Sequence, residues 1–485
     1  MIHEYDVVVL GAGPSGQKAA IQAAKAGRSV LVIDRDLQVG GACVHRGTIP
    51  SKTLRETAVA LVGFKRRSGG VFEIPASEDL QVASLMTRLE QVVSGNEEYI
   101  GRQLARNGVT VWHGKASFVG PNEIDVHTVR GERWQARASL IVIATGSRPR
   151  SPADIVVDHE HILDSDSILS MTYLPRSLAV LGAGVIASEY ASMFAALGVK
   201  VVMVDRGERP VGFVDPELTT RFVKSFGQLG GRFVGGVKVL GSQWDGVASV
   251  VTLLSNGEVL LTDKALFALG RIANVDDLNL AGAGLSLTQS GLLEVDEHCR
   301  TAVPHVYAVG DVIGPPSLAS SSAEQGRRAV CHALGLSVGM PAEFTPLGVY
   351  TIPEMAAVGL TEAQVVAKYG SAIVGRARFD EVARGRISAV EDGLLKLVAD
   401  PEGQRLLGVH VIGEGASELV HIGQMALMGG LGIDTFIETI FNFPTLAEAY
   451  RVAAFDVVKQ RELRALTSSP APKIRPAPSP AAVSS

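Results

Sequence analysis

Apolar positions first gather in short unbroken runs. Residues 7–10 and 29–33 are dominated by Val, Leu and Ile without polar alternation, the pattern of strands buried on both faces of a parallel sheet. Between them lie Gly11-Ala12-Gly13-Pro14-Ser15-Gly16, an alanine-rich stretch that predicts a helix from about residue 17 to 26, and Gly27. The second strand closes on Asp34. In such a unit Gly11 allows a tight turn, Gly13 lets the backbone approach a pyrophosphate, and Gly16 lets the helix settle on the sheet. Asp34 stands where a carboxylate can bond a ribose hydroxyl.

The same unit returns farther along. Residues 178–181 lead into Gly182-Ala183-Gly184-Val185-Ile186-Ala187, a predicted helix at 188–197, Gly198, a strand at 199–204 and Asp205. Gly11, Gly13, Gly27, Asp34 and Arg35 correspond to Gly182, Gly184, Gly198, Asp205 and Arg206. Ala187 stands at the third glycine position, where only close helix packing is required. The repeat implies two dinucleotide sites in one chain, and therefore electron traffic between them. Helical periodicity also marks 78–107, strands are expected at 394–398 and 407–412, and a helix at 418–428. The last stretch, 467–485, is almost wholly Pro, Ala and Ser and cannot bury a core.

Composition narrows the classes. The chain has 485 residues, enough for about three domains. With 45 basic and 50 acidic residues its net charge is −5, which argues against nucleic acid or an anionic membrane as partner. The three cysteines Cys43, Cys299 and Cys331 are too few for a disulfide framework, have no metal-ligand spacing and fit a reducing compartment. The N-terminus shows no basic region or long apolar span, so a cytoplasmic protein is expected.

Over about residues 4–465 the chain resembles the pyridine nucleotide-disulfide oxidoreductase superfamily. The segment from Gly40 to Lys52, GGACVHRGTIPSK, has the frame of that family's redox-active loop, where two cysteines five positions apart form a disulfide. Here Cys43 holds the first position and Thr48 the second, and a hydroxyl can form neither a disulfide nor a thiolate relay. In the segment 441–448, FNFPTLAE, Phe443 stands where disulfide-reducing members carry an acid/base histidine, and only Glu448 remains of that apparatus. These two departures resemble the soluble transhydrogenase branch of the superfamily.

The resemblance implies an α/β chain with two Rossmann-like dinucleotide-binding domains, one for FAD and one for NAD(P), plus a C-terminal α+β dimerisation domain. The expected divisions are 1–150 and 275–345 for FAD, 151–274 for NAD(P), 346–466 for dimerisation and 467–485 as a disordered tail. It implies FAD, NAD and NADP as cofactors and a homodimer or higher homo-oligomer. The implied activity is ping-pong hydride transfer from NADPH to NAD through one nicotinamide pocket. A quinone or dye reductase of the same fold is the alternative, and an idle flavoprotein sensor or scaffold a third reading. Lys52 and Glu189 match a catalytic pair beside the flavin N5 edge. An ammonium there favours the electron-rich flavin, and the carboxylate keeps it charged and oriented.

Around the cofactors the resemblance places Gly41, Cys43 and Thr48, then Thr145 and Gly146 at the exit of the first domain, and Gly270 and Arg271 at the exit of the second. Gly310 and Asp311 match the stretch that meets the flavin ribityl chain. A helix opening at Leu318 and Ala319 aims its N-terminus at the flavin N1 and O2 edge, with Ser317 as its expected N-cap. His45 and Arg46 are expected to be structural, Cys43 a small buried thiol, and His421 a packed or interface histidine. Asp205 suits the 2′-hydroxyl of NAD, whereas Arg206 and Arg209 suit the 2′-phosphate of NADP, with Asp205 then turning to solvent or to an arginine.

Overall fold

Strand β1 (Ile2–Leu10) threads the centre of a sheet because every residue from Val7 to Val9 is fully buried on whichever side it faces. The computed structural model describes residues 2–68, 82–152, 154–339, 343–390 and 392–468. These form two units, Met1–Thr345 with Val349–Pro353, and Pro346–Gly348 with Glu354–Ser485. The expected tail lies, from residue 469, outside the described residues, as does Leu80 of the predicted helix at 78–107.

In the first unit β1 pairs in parallel with β2 (Val30–Asp34) on one side and β5 (Arg133–Ile143) on the other. The parallel layer runs β3 (Thr110–Gly120), β2, β1, β5, β16 (Val306–Ala308). The far ends of β3 and β5 are joined through antiparallel β4 (Glu123–Thr128). Val7 and Val9 face helices α1 (Pro14–Lys25), α4 (Val82–Arg106) and α7 (Ala319–Ala333). Val8 and Leu10 face Phe118, Ile124 and the segment carrying Leu278 and Val312. Each such aliphatic side chain contributes about 1.5–3 kcal/mol on burial. Between β2 and β3 also lie α2 (Gly41–His45) and α3 (Thr48–Ser68).

The second sheet repeats the order. Beside β6 (Ser147–Pro149), which pairs elsewhere, it comprises β7 (Ile162–Asp164), β8 (Ser177–Leu181), β9 (Lys200–Val204), β10 (Arg232–Val234) and β14 (Lys264–Phe267). All are parallel in the order β10-β9-β8-β14-β7, with α5 (Val185–Ala196) after β8 and α6 (Pro216–Gln228) after β9. A separate antiparallel meander is built from β11 (Val239–Trp244), β12 (Val250–Leu254) and β13 (Val259–Thr262). In both sheets the first strand of the unit is central and its neighbours are reached by crossovers in opposite directions, the switch point where such sheets bind ligands.

Helices α1 and α5 start earlier than the sequence pattern suggests. α1 begins at Pro14, α5 at Val185 and α3 at Thr48, so Glu189 lies in the second turn of α5 and Lys52 in the second turn of α3. Residues such as Val185 and Ile186 read as strand by propensity, but the glycine turn hands the chain directly into a helix and tertiary packing overrides propensity.

The second unit is a sheet in the order β17 (Leu347–Val349), β18 (Met355–Gly359), β21 (Leu406–Ile412), β20 (Leu394–Ala399), β19 (Ile373–Arg378). Helices α8 (Glu362–Tyr369), α9 (Ala416–Met428) and α10 (Glu448–Ser468) accompany it. Buried Tyr450 of α10 donates to the Leu419 carbonyl at 2.7 Å and accepts from the Gly423 N–H at 3.0 Å, fixing α9. His421 is exposed rather than packed, bonded to Gln424 at 2.8 Å on the outer side of α9. Among the described residues no helix is long and apolar enough to cross a membrane.

Helices α1 and α7 meet where Gly326 lies against α1, and a Cβ there would sit 2.1 Å from the Ser15 carbonyl oxygen. Gly326→Ala should therefore destabilise the protein by at least about 1–3 kcal/mol. A denaturant midpoint that falls with the slope preserved would bear this out, whereas an unchanged midpoint would contradict the close seating of α7 on α1.

Candidate active site

The two glycine turns have the same geometry. Gly11 has φ +105° and Gly182 φ +115°, and a Cβ would lie 2.4 Å from the Ala144 carbonyl oxygen in the first and 2.6 Å from the Ala268 oxygen in the second. Both conformation and space therefore demand glycine. Gly13 and Gly184 are the N-caps of α1 and α5, and a Cβ at either would meet nothing within 4 Å. Neither helix has a side-chain cap or an acid in its first turn. Each thus points unsatisfied N–H groups and its positive dipole end at open space, a fit for the pyrophosphate of a dinucleotide.

The aspartates that close the units serve the turn itself. Asp34 accepts from the Ala12 N–H at 2.6 Å and the Asp36 N–H at 3.0 Å, and Asp205 from the Ala183 N–H at 2.8 Å and the Gly207 N–H at 2.7 Å. Both oxygens of Asp205 are thus engaged by backbone donors. Burial holds the Asp34 carboxyl above the usual range, and the two N–H bonds partly offset this. Arg35 and Arg206 are exposed; Arg206 makes no hydrogen bond or ion pair among the described residues. Arg209 donates to Thr219 Oγ1 at 3.1 Å and to the Gly212 carbonyl at 3.2 Å.

Lys52 from α3 and Glu189 from α5 meet at 2.6 Å. The glutamate side chain is only 6% exposed, and its other oxygen accepts from the Tyr350 N–H at 2.8 Å. The Lys52 ammonium also lies 4.8 Å from the centre of the Tyr350 ring. The sequence places Tyr350 only within the expected dimerisation region 346–466 and gives it no role of its own. Its signal was the apolar-aromatic context of YTIPE, which gives no hint of a lysine partner.

The exit segments are tied together. β6 pairs antiparallel with β15 (Arg271–Ala273), while Thr145 Oγ1 donates to the Asn274 carbonyl at 2.7 Å. Gly146 and Gly270, both at positive φ, turn the chain into these strands. Arg271 donates through Nε to Ser147 Oγ at 2.8 Å, and Ser147 Oγ donates to Asp311 at 2.5 Å. The guanidinium also lies 3.6 Å from Asp166, whose carboxyl burial raises. Gly310 N–H donates to Gln325 of α7 at 2.9 Å.

Helix α7 is capped by Leu318, not by Ser317, and has neither a side-chain cap nor an acid in its first turn. Ser317 adopts φ +48° and donates to the Gly314 carbonyl at 3.0 Å, which takes its hydroxyl away from the helix. The N–H groups at Ala319 and beyond are thus left for an anionic or polar acceptor, a fit for a flavin edge. On α2, Cys43 is half-buried rather than enclosed, and Gly41 approaches Gly13 so closely that a Cβ would lie 2.9 Å from its Cα. Burial pushes the Cys43 thiol up, with the Thr48 hydroxyl and the Lys52 charge acting in the opposite sense. His45 bonds the Val39 carbonyl at 2.9 Å and Arg46 pairs with Asp36 at 3.0 Å. In the second unit Phe443 is 69% exposed, and Glu448 accepts from the Thr445 N–H at 3.4 Å.

An open cavity of about 840 Å³ lined by Glu4, Ser29, Glu123 and Arg137 shares no residue with these turns. It lies toward the opposite end of β1 from Gly11, away from the carboxyl ends of the strands where such sheets bind ligands. Among the described residues no cluster of side chains could hold a metal ion.

Comparison with known proteins gives a family for each part. Residues 5–326 match the pyridine nucleotide-disulphide oxidoreductase family, and 345–454 match the dimerisation domain of pyridine nucleotide-disulphide oxidoreductases. The soluble pyridine nucleotide transhydrogenase of Mycobacterium tuberculosis (strain ATCC 25177 / H37Ra) is 41% identical over 466 residues, 96% of this chain and 99% of that protein. The transhydrogenase of Hahella chejuensis is 41% identical over 463 residues, 94% and 98% respectively. Among solved structures, LpdA from Mycobacterium tuberculosis superposes with a TM-score of 0.86 at 27% identity, covering 94% of this chain and 99% of its own.

Because burial raises the Cys43 pKa, its thiolate fraction at any pH is below that of an ordinary thiol. Alkylation of Cys43 by iodoacetamide, followed by peptide mass spectrometry across a pH series, should have its midpoint above the ordinary thiol value near 9.0. A midpoint below that value would reveal an activated thiolate and contradict this environment.

Proposed function

The chain belongs to the pyridine nucleotide-disulphide oxidoreductase family, and on that footing we propose that it is an FAD-dependent transhydrogenase, carrying hydride from NADPH to NAD through one nicotinamide pocket without a redox disulfide. Bound FAD supplies the centre that accepts hydride from one pyridine nucleotide and returns it to the other. The observation that carries the reading is the Lys52–Glu189 pair at 2.6 Å, beside a single thiol whose partner position is a threonine. The pair keeps a positive charge in place where α3 meets α5, to act on negative charge that develops during the reaction. With Thr48 opposite Cys43, and Phe443 where an acid/base would stand, the chain retains hydride-transfer parts and lacks dithiol parts.

In this reading Gly11, Gly13, Gly16 and Asp34 hold the FAD adenosine and pyrophosphate, and Gly41, Cys43, Thr48, Thr145, Gly146, Gly310, Asp311, Leu318 and Ala319 surround its remainder. Gly182, Gly184, Asp205, Gly270 and Arg271 serve the nicotinamide nucleotide. The corresponding divisions are 1–150 with 275–345, 151–274, and 346–466. The protein works as a homodimer or larger homo-oligomer, which the dimerisation-domain match and the exposed Ile440 and Phe443 support. A cytoplasmic location is supported by three cysteines that are all unpaired.

The decisive experiment is anaerobic. NADPH added to the FAD-loaded protein should bleach the flavin, with no long-wavelength thiolate band, and NAD should restore the spectrum while NADH appears. Bleaching reversed by a quinone but not by NAD would turn the assignment to a quinone reductase.

One pocket must accept both nucleotides, and the two arginines differ in freedom. Arg209 is held by Thr219 and Gly212, whereas Arg206 is exposed and able to swing to a 2′-phosphate. The lone pairs of Asp205 not used by the turn remain for a 2′-hydroxyl. Arg206→Ala should weaken NADPH binding by about 1–3 kcal/mol and leave NADH nearly unchanged. Titration of both nucleotides checks this; equal losses would mean that Arg206 does not read the phosphate.

A further inference from the structure

Lys52 and Arg55 are both cations on α3, one turn apart, and both lie over the same ring. Lys52 Nζ is 4.8 Å and Arg55 Cζ 5.8 Å from the Tyr350 centroid. The Arg55 side chain is 9% exposed and that of Lys52 26%. Two like charges so placed repel, and water is too sparse there to screen them fully. Three nearby groups oppose the repulsion. Glu189 neutralises Lys52, the Thr351 carbonyl accepts from Arg55 Nε at 3.2 Å, and Glu56 pairs with Arg55 at 2.9 Å. Both cations also share the negative face of the Tyr350 ring.

The same residue also acts through its backbone. The Tyr350 N–H donates to Glu189 Oε1 while Glu189 Oε2 accepts from Lys52, so one carboxylate bridges the tyrosine main chain and the ammonium. The strand end is anchored independently, because the Ile352 N–H donates to buried Ser192 Oγ on α5 at 3.1 Å. The ring therefore stands at a fixed height relative to Glu189.

We propose that Tyr350 is a positioning residue for hydride transfer: its ring face holds the Lys52 ammonium, and its N–H holds Glu189, so that the charge is pre-set before a nucleotide enters. This rests on the transhydrogenase reading and goes beyond it. The phenol oxygen has no part in the proposal; the ring electrons do. Phenylalanine should therefore serve, and a ring of the same shape with its quadrupole reversed should not.

The test is stopped-flow reduction of the FAD-loaded protein by saturating NADPH in three forms: parent, Tyr350→Phe, and the protein with pentafluorophenylalanine incorporated at position 350. Tyr350→Phe should reduce at close to the parental rate. The fluorinated form should be slower by about tenfold, with the NADPH dissociation constant and flavin content unchanged. A purely structural role would not separate two rings of nearly the same shape. Equal rates for the two rings would overturn the proposal, as would a Tyr350→Phe protein as slow as the fluorinated one, which would assign the effect to the hydroxyl. If the fluorinated protein does not fold, phenylalanine with two ring fluorines replaces it at position 350 with the same criterion against Tyr350→Phe, since it weakens the ring quadrupole and keeps the shape. Parental protein that NADPH fails to reduce at all would overturn the transhydrogenase reading itself, a result distinct from equal rates.

Discussion

A helix that must present bare N–H groups to a phosphate cannot cap itself, and the first unit is built around that constraint. Both α1 and α5 follow an N-cap glycine and have no side-chain cap. The turn before each must therefore be held by something other than the helix. Asp34 and Asp205 do this, each accepting from the turn at Ala12 or Ala183 and from the backbone N–H two residues beyond itself, so that the turn is tied to the end of the neighbouring strand. The order of the sheets follows, because the carboxylate can reach the turn only if the second strand lies directly beside the first. The same economy recurs at α7, where the preceding Ser317 is bonded elsewhere and no side chain caps the helix.

A second constraint concerns charge in a shielded place. Glu189 is nearly inaccessible, and a buried carboxylate without partners is strongly unfavourable. Both oxygens are engaged, one by Lys52 and one by the Tyr350 N–H. Removing one member of such a pair costs about 3–5 kcal/mol, since the other charge is left behind. Lys52 and Glu189 come from different helices, so their bond also fixes α3 against α5. Charge placement and helix packing are here one interaction.

The chemistry that is absent is equally physical. A dithiol relay needs a second sulfur and a proton carrier, and Thr48 and Phe443 supply neither. The remaining thiol is raised by burial, so Cys43 sits beside a cationic lysine without becoming a ready thiolate. Hydride transfer between nucleotides makes no such demand. Orientation and a fixed charge suffice, and those are the features the site retains.

The glycine units, the repeat and the pairing of Lys52 with Glu189 were legible in the amino-acid order, because each depends on residue types at short fixed spacing or on a motif resemblance. So were the buried parallel strands, since a run such as Val7 to Val9 leaves no polar face. The order could not show that Asp205 is occupied by its own turn, because hydrogen bonds from Ala183 and Gly207 depend on backbone direction. Nor could it set the start of α5 at Val185, where packing outweighs β-branched propensity, or deny Ser317 its expected cap, where a left-handed conformation turns the hydroxyl away. Tyr350 shows the limit most plainly. It is 161 residues from Glu189 and nearly 300 from Lys52 along the chain, and no periodicity links them. Only the folded backbone brings a main-chain N–H and a ring face to the same charge pair, because contacts at that separation are set by tertiary packing rather than by local pattern.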